Sequence, residues 1–388
     1  MILNKSTNHR LVATLLRVAM LMLIVTPLLS CGGAHSRSMS DGDGRDIEMH
    51  YADYLSITEQ PGYTDVTIRN PWDTTATLQH LYLVPKDSIL PAGLPTANVI
   101  RTPVSNALIY SGVHTGLISE LGASQAIGGI CDANYVTDSI MQVRLKAGTL
   151  TDCGLSQNPD IERIISLSPD LIMLSPYEND SHLSRIQTLG IPILQCADYM
   201  ETSPLGRAEW MRLYGLIFGV RDKSERLFSD IESEYLHLKE IASTADYKPA
   251  VLIDQRYGQV WNVPAGHSTM GRLIEDAGGR NPFSDYKQSG SVALSPEQVL
   301  ARAHDADIWF VRYNQKSEKT LTELANDAPV NSRFRAFRQG NVFGCNTQYT
   351  NYFDETPFHP ERVLRDMVIY IHPDLLPDAT PSYYHKMK

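Results

Sequence analysis

The chain is 388 residues long, 43% hydrophobic and 20% charged, a globular composition with enough material for two domains of ordinary size. Acidic residues outnumber basic ones 44 to 34, for a formal charge of −10, and no basic run or aromatic-basic stripe interrupts that balance. Nucleic acid is excluded as a partner on this ground, because affinity for phosphates rests on Lys and Arg.

The first element is a leader. Lys5, Arg10 and Arg17 precede an apolar stretch at residues 18–29 that is too short for a comfortable membrane span and suits an export signal. It ends in Leu28-Leu29-Ser30-Cys31, which resembles the bacterial lipobox. That resemblance implies acylation of Cys31 and a lipid anchor. No acidic run follows Cys31, which favours the inner membrane over the outer and a periplasmic location. Residues 32–50, rich in Gly, Ser and Asp, are expected to be a flexible tether. Cys131, Cys153, Cys196 and Cys345 have no metal-site spacing; disulfides are allowed in an oxidising compartment, with no pairing readable.

Residues 51–95 carry short alternating runs broken by Pro61-Gly62 and Asn70-Pro71, which predict a small β extension. From about residue 96 strands alternate with helices. Strands are expected at Val99-Ile100, Ala126–Ile130, Leu171–Leu174 and Ile191–Gln195, with helices near Leu117–Leu121, after Asn158-Pro159 and near 181–189. Strands near Ala250–Asp254, Ile308–Val311 and Asn341–Gly344 repeat the theme. This order predicts parallel sheets in an α/β layer fold. Between the two sets, Ser203-Pro204 opens a helix that Gly219 ends, and Asp222 opens a longer one. Leu227, Ile231, Tyr235, Leu238 and Ile241 mark its apolar stripe. Residues 222–243 would span roughly 33 Å, enough to brace two lobes.

Two segments 135 residues apart are alike. Each begins with a Glu (Glu162, Glu297) just behind a helix-start signal, continues with a polar, two branched apolar and one small residue, and has an Asp eight positions on. The repeat predicts two lobes of like architecture, each showing an acidic helix start on the same relative face. The expected fold is therefore α/β: two lobes with parallel-type central sheets joined by a single long helix, plus the N-terminal β extension. The domain boundaries expected are 1–31 leader, 32–50 tether, 51–95 extension, 96–202 first lobe, 203–247 linking helices and 248–388 second lobe.

Several motifs match a known family. Asn158-Pro159-Asp160-Ile161-Glu162-Arg163-Ile164 with Ser168-Pro169-Asp170-Leu171-Ile172, then Leu189-Gly190-Ile191-Pro192-Ile193, and Ser295-Pro296-Glu297-Gln298-Val299-Leu300-Ala301 resemble the substrate-binding lipoproteins of ABC importers for iron chelates and cobalamin. The stretch Glu201–Trp210 looks like the Bacteroidetes branch of that family. The resemblance runs from about Asn98 to Pro373. It implies a monomeric periplasmic receptor, not an enzyme, that captures a small-molecule metal chelate in the interlobe cleft and delivers it to a permease dimer in the inner membrane. It implies an iron complex (ferric siderophore or haem) or, alternatively, cobalamin as bound ligand, with no cofactor of the protein's own. Glu162 and Glu297 occupy the positions that dock on permease arginines, where rim charges set encounter rate and register.

Ligand contacts are expected where α/β sheets open, at the C-terminal ends of strands. In the first lobe these turns hold Ser105-Asn106, Cys131-Asp132 to Tyr135, and Ser175 to Tyr177, Glu178 and Asn179, with Asn106, Tyr135 and Tyr177 as candidates. In the second they hold Gln255 to Tyr257, Trp261, Arg312-Tyr313, Asn346 to Tyr349, Tyr352 and Phe353, with Arg256, Tyr257, Trp261, Arg312, Tyr313, Tyr349 and Tyr352 as candidates. Aromatics with Arg suit a large, flat or anionic ligand. His114, His182, His267 and His359 show no metal-ligand spacing, and surface or capping roles are expected for them. A lipid-anchored metal chelatase is the rival from another class, with His267 or His359 exchanging metal. No Gly-x-Ser-x-Gly elbow or phosphate loop supports an enzyme, and Gly128-Gly129 does not make one.

Overall fold

The structure, a computed structural model, describes residues 44–178 and 181–388. The leader, Cys31 and most of the expected tether lie outside the described residues. Gly44–Lys388 clusters as a single unit in which an N-terminal sheet and two α/β lobes are packed on linking helices.

The N-terminal sheet has the order β1 (Arg45–Ile47), β2 (Leu55–Gln60), β3 (Tyr63–Arg69), β4 (Thr77–Pro85) and β5 (Val99–Thr102). It is antiparallel up to β4, and β5 then joins in parallel. Two boundaries move as a result. The expected tether yields β1, because Arg45–Ile47 finds backbone partners on β2. The strand at Val99-Ile100, expected in the first lobe, extends this sheet instead.

The first lobe is a parallel sheet of β6 (Ala107–Ile109), β7 (Ile127–Ile130), β8 (Thr151–Asp152), β11 (Leu171–Leu174) and β12 (Ile193–Gln195), in the order β12-β11-β6-β7-β8. A small hairpin of β9 (Gly154–Leu155) and β10 (Asn158–Pro159) interrupts it. Asn158-Pro159 is therefore strand, and the next helix is capped by Asp160, whose side chain accepts the Arg163 amide at 3.1 Å. β6 and β11 are buried throughout, as strands covered on both faces must be. Helix α1 (Gly112–Glu120) follows β6, and α2 (Ile161–Leu167) precedes β11. A Cβ on Gly128 would lie 1.8 Å from Asn106 Oδ1, and one on Gly129 2.5 Å from Leu167. The glycine pair thus makes room for the end of α2 against β7.

The open edge of this sheet, β12, is sealed by one side chain. Gln79 donates from Nε2 to the Ile193 carbonyl at 2.6 Å and accepts the Gln195 amide on Oε1 at 2.9 Å. An amide side chain here copies the donor–acceptor pair of a missing strand and blocks edge pairing.

The linking helices are α3 (Pro204–Glu209), α4 (Met211–Ile217) and α5 (Arg221–Ser243). Ser203 caps α3 as expected, accepting the Gly206 amide at 3.2 Å. The buried face of α5 is Ser224, Phe228, Ile231, Tyr235, Leu238 and Ala242, in steps of four and three. This is one residue off the expected stripe at each end. A Cβ on Gly215 would meet Ser224 Oγ at 1.9 Å, so the glycine lets α4 and α5 approach closely and sets which face turns inward. Polar ties then hold α5 on all sides. Tyr51 donates to Glu232 at 2.6 Å, Tyr235 donates to Asp276 at 2.7 Å, and Arg365 meets Glu234 at 2.6 Å.

The second lobe has β13 (Val251–Ile253), β16 (Ile308–Tyr313), β17 (Val342–Asn346) and β18 (His385–Lys386) in that order, parallel except for β18. β14 (Trp261–Pro264) and β15 (Ser291–Leu294) form a separate antiparallel pair. Helix α6 (Pro296–Ala303) starts with a capping box between Ser295 and Gln298. Two more helices, α7 (Tyr352–Glu355) and α8 (Pro360–Ile371), complete the lobe and return the chain to α5. One hydrophobic core runs from the N-terminal sheet through α4 and α5 into α8, while Trp261, Trp309 and Phe334 anchor a second core within the lobe.

Buried carboxylates fasten the outer segments. Glu209 is fully buried and accepts the amides of His50, Tyr51 and Ala52 at 2.8–2.9 Å. Glu201 accepts those of Asp53 and Tyr54 and the Trp210 indole N–H. Asp366 accepts three amides at residues 382–384. Glu209→Ala leaves its amides without an acceptor and is expected to cost about 2–4 kcal/mol in urea unfolding. Hydrogen exchange should show the loss first at residues 50–52.

Candidate functional site

The C-terminal ends of β6, β7 and β11 open on one side of the first-lobe sheet, and a cavity of about 680 Å³ lies there. Ser111, Asp132, Tyr135, Tyr177 and Glu178 line it from the first lobe, and Phe353 and Asp354 of α7 line it from the second. The volume falls within the range usual for small-molecule sites.

Three aromatic side chains stand unusually open to solvent at this cavity: Tyr135 (76% exposed), Tyr177 (66%) and Phe353 (56%). Rings of that size are normally packed, so their exposure leaves faces free for a ligand. Tyr177 leans on Tyr199 at 6.4 Å between ring centroids, and the Tyr199 hydroxyl donates to the Pro176 carbonyl, which fixes the turn. Asp132 sits in the left-handed region at φ 52°, which short polar residues tolerate. Its amide donates to Gly154 and its carboxylate accepts the Ser156 amide at 3.1 Å, so the β9–β10 hairpin is held against the cavity wall.

The lobes touch where α7 lies on α1. Thr137 Oγ1 donates to Asp354 at 2.5 Å, and burial pushes the Asp354 carboxyl up. A Cβ on Gly112 would come within 2.9 Å of the same carboxylate. Beyond this contact a second cavity of about 400 Å³ shares Gly112 and Asp354 with the first. There His359, at the start of α8, bridges Glu120 of α1 at 2.8 Å and Glu361 at 2.9 Å. Burial opposes charge on the imidazole, but the bonds to the two carboxylates override it and lift its pKa to about 9.

Of the residues expected from sequence, Tyr135 and Tyr177 lie in the main cavity and the others do not. Asn106 sits at the opposite end of β6, donating to the carbonyls of Leu167 and Ser168, and so serves the end of α2. Trp261 is wholly buried, bonds the Ile253 carbonyl at 3.0 Å and stacks on Trp309, which makes it core. Tyr313 is buried with its hydroxyl on Glu318, and Tyr352 is buried among Tyr383 and Tyr384. Arg312 is paired with Asp254 and lies over the Tyr352 and Phe353 rings, so it braces the wall from behind. Arg256 donates to the carbonyls of Gly258 and Asp327. Tyr257 and Tyr349 are exposed away from the cavity, Tyr349 bonding the Lys316 carbonyl. Asp132, Glu178 and Phe353 lie in the turns expected to hold ligand contacts; Asp354 was not expected, because α7 has only four residues and no period that announces it.

Glu162 and Glu297 are both exposed in the first turns of α2 and α6. The Glu297 carboxyl is held below the usual range by its own amide and by Ser295, with the Arg256 charge adding to the effect. The histidines divide. His114 is buried on Asp198 at 2.9 Å, and His267 is exposed outside the cavity. The His182 side chain lies outside the described residues. Among the described residues, His114, Cys196 and Asp198 bring donor atoms within 4.8 Å of one another. Asp198 is already spanned by His114, Arg207 and Tyr214, which marks the trio as a structural knot. Cys131, Cys153, Cys196 and Cys345 are buried free thiols, and burial pushes all four up.

A model of the periplasmic binding protein family matches residues 110–349. The chain belongs to that family. The N-terminal sheet precedes the matched region. An uncharacterized lipoprotein of Methanocaldococcus jannaschii is 26% identical over 300 residues, covering 74% of this chain and 70% of the relative. A cobalamin-binding protein of Halobacterium salinarum is 23% identical, covering 60% of each. Among solved structures, a periplasmic heme-binding protein from Roseiflexus sp. RS-1 superposes with a TM-score of 0.54 at 22% identity, covering 70% of this chain and 99% of that one. The molybdate periplasmic binding protein of a Haemophilus influenzae ABC transporter reaches 0.59 at 14% identity, covering 73% and 92%. These structures share the two-lobed fold.

The His359 bridge has a signed pH dependence. Its folded pKa of about 9 lies above the ordinary 6.5, so its stabilisation is complete below about pH 6.5 and fades as pH rises through about 9. His359→Gln should lower the melting temperature clearly at pH 6, and the gap to the parent should largely close at pH 10.

Proposed function

We propose that this protein is the lipid-anchored periplasmic receptor of an ABC importer, which takes up a metal chelate in the interlobe cavity and hands it to a permease. The observation that carries the reading is the placing of Tyr135, Tyr177 and Phe353, exposed rings from two lobes facing one cavity at the strand ends. Rings in this arrangement suit a broad, flat ligand of the siderophore, haem or corrinoid kind. Structural relatives with heme- and Fe3+-hydroxamate-transport names, and the cobalamin-binding relative, support the same class.

Delivery uses the paired acidic helix starts. Exposed carboxylates on separate lobes offer two charged contacts to a two-fold symmetric partner, which fixes register as well as speeding encounter. Helix α5, tied to the N-terminal segment through Tyr51 and to the second lobe through Asp276 and Arg365, limits closure to a small rotation. Acylation at Cys31 would keep the receptor near the permease.

Native protein purified from its host should carry a chromophore visible in an absorbance scan through the near-ultraviolet and visible. Tyr135→Ala with Tyr177→Ala should weaken its binding by about tenfold or more, in line with roughly 0.5–1.5 kcal/mol per ring contact. Unchanged affinity would remove the cavity from the account. The double change Glu162→Arg and Glu297→Arg should stop uptake into cells while titration shows ligand affinity intact. Loss of ligand binding in that variant would show that these residues serve the cleft and not the permease.

A further inference from the structure

The residues lining the main cavity are unequal in charge. Asp132, Glu178 and Asp354 stand against Arg185, the single guanidinium among the described lining residues. The neighbouring arginines are already committed. Arg312 is paired with Asp254 behind Phe353, and Arg362 with Glu355 at 2.8 Å. The adjoining cavity is acidic on balance: Glu120, Asp138 and Glu355 beside Asp354 outnumber Arg362, which pairs with Glu355, and His359, which is held between Glu120 and Glu361. A cleft lined by one sign of charge focuses that field on whatever enters it. Ionised carboxylates accept hydrogen bonds and donate none, so the edge of a well-matched ligand must supply donors.

We infer that this cleft selects an uncharged or cationic metal chelate fringed with hydrogen-bond donors such as amides, and rejects chelates with an anionic rim, through Asp132, Glu178 and Asp354. The inference rests on the receptor reading above and narrows its ligand. Tyr135, Tyr177 and Phe353 hold the flat body of the chelate; the carboxylates sort its perimeter. A ligand edged with carboxylates or catecholate oxygens would set like charges against these three groups, with Arg185 the one guanidinium among the described lining residues to offset them.

The test compares three probes on the full-length protein by calorimetric titration: dicyanocobinamide, an uncharged corrinoid with an amide fringe; haemin, with two propionates; and a ferric tris-catecholate, a polyanion. Dicyanocobinamide is expected to bind at least about tenfold tighter than either anion, with the gap narrowing as salt is raised. Glu178→Gln with Asp354→Asn should bring the three affinities together, chiefly by strengthening the anions. Glu178→Lys, a change at an exposed turn, should do so without touching the Thr137 contact. An anion binding as tightly as the corrinoid, or variants that leave the ratios unchanged, would overturn the inference while leaving the receptor reading in place. Failure of all three to bind would overturn both.

Discussion

The architecture depends on buried carboxylates satisfied chiefly by backbone amides, with Arg212 also reaching Glu209 at 3.4 Å. An ionised group in a protein interior is tolerated only where hydrogen bonds replace its water. Glu209 meets that condition by gathering the amides of residues 50–52, and Glu201 by gathering two more with the Trp210 indole. Burial pushes the Glu201 carboxyl up, and its three donors pull the other way. Each carboxylate can be content in one chain arrangement alone, so the pair fixes the entry segment on the linking helices. Asp366 does the same for residues 382–384 near the other end of the chain. The entry segment is thereby referred to the linking helices, and the end of the chain to α8, which packs on α5.

That reference frame positions the cleft. With the N-terminal sheet, α4 and α8 all packed on α5, the lobes meet through few elements, chiefly α1 and α7. The cavity lies beside that meeting point, so its far wall moves with α7 while its floor belongs to the first sheet. Phe353 and Asp354 are the groups that would register a change in lobe angle, and both line the cavity.

Much of this was legible in the amino-acid pattern, and the reasons for the rest are physical. Continuous apolar runs such as Leu171–Leu174 announce strands covered on both faces, and the long amphipathic stretch announces α5. Ile231, Tyr235 and Leu238 face inward as expected, and the stripe differs by one residue at each end because Leu227 and Phe228 are both apolar and the close approach at Gly215 turns Phe228 inward. Tyr135 and Tyr177 reach the cavity because they sit just past strand ends on the side where the sheet opens. Arg256, Trp261 and Tyr352 were not separable from them, since each has a partner that periodicity does not reveal: carbonyls at 258 and 327, the Ile253 carbonyl, and a cluster of tyrosines. The Glu201–Trp210 stretch stood out by resemblance, yet its work is done on amides about 150 positions earlier in the chain.

The amide of Gln79 has a consequence for how the chain matures. It closes the seam of the first-lobe sheet by reaching across 114 residues to Ile193 and across 116 to Gln195. Contacts so distant in sequence form late, because the intervening segment must first be ordered. Until the N-terminal sheet has docked, β12 therefore presents bare donors and acceptors to any passing strand. Once docked, the N-terminal sheet shields that edge from strand-to-strand association.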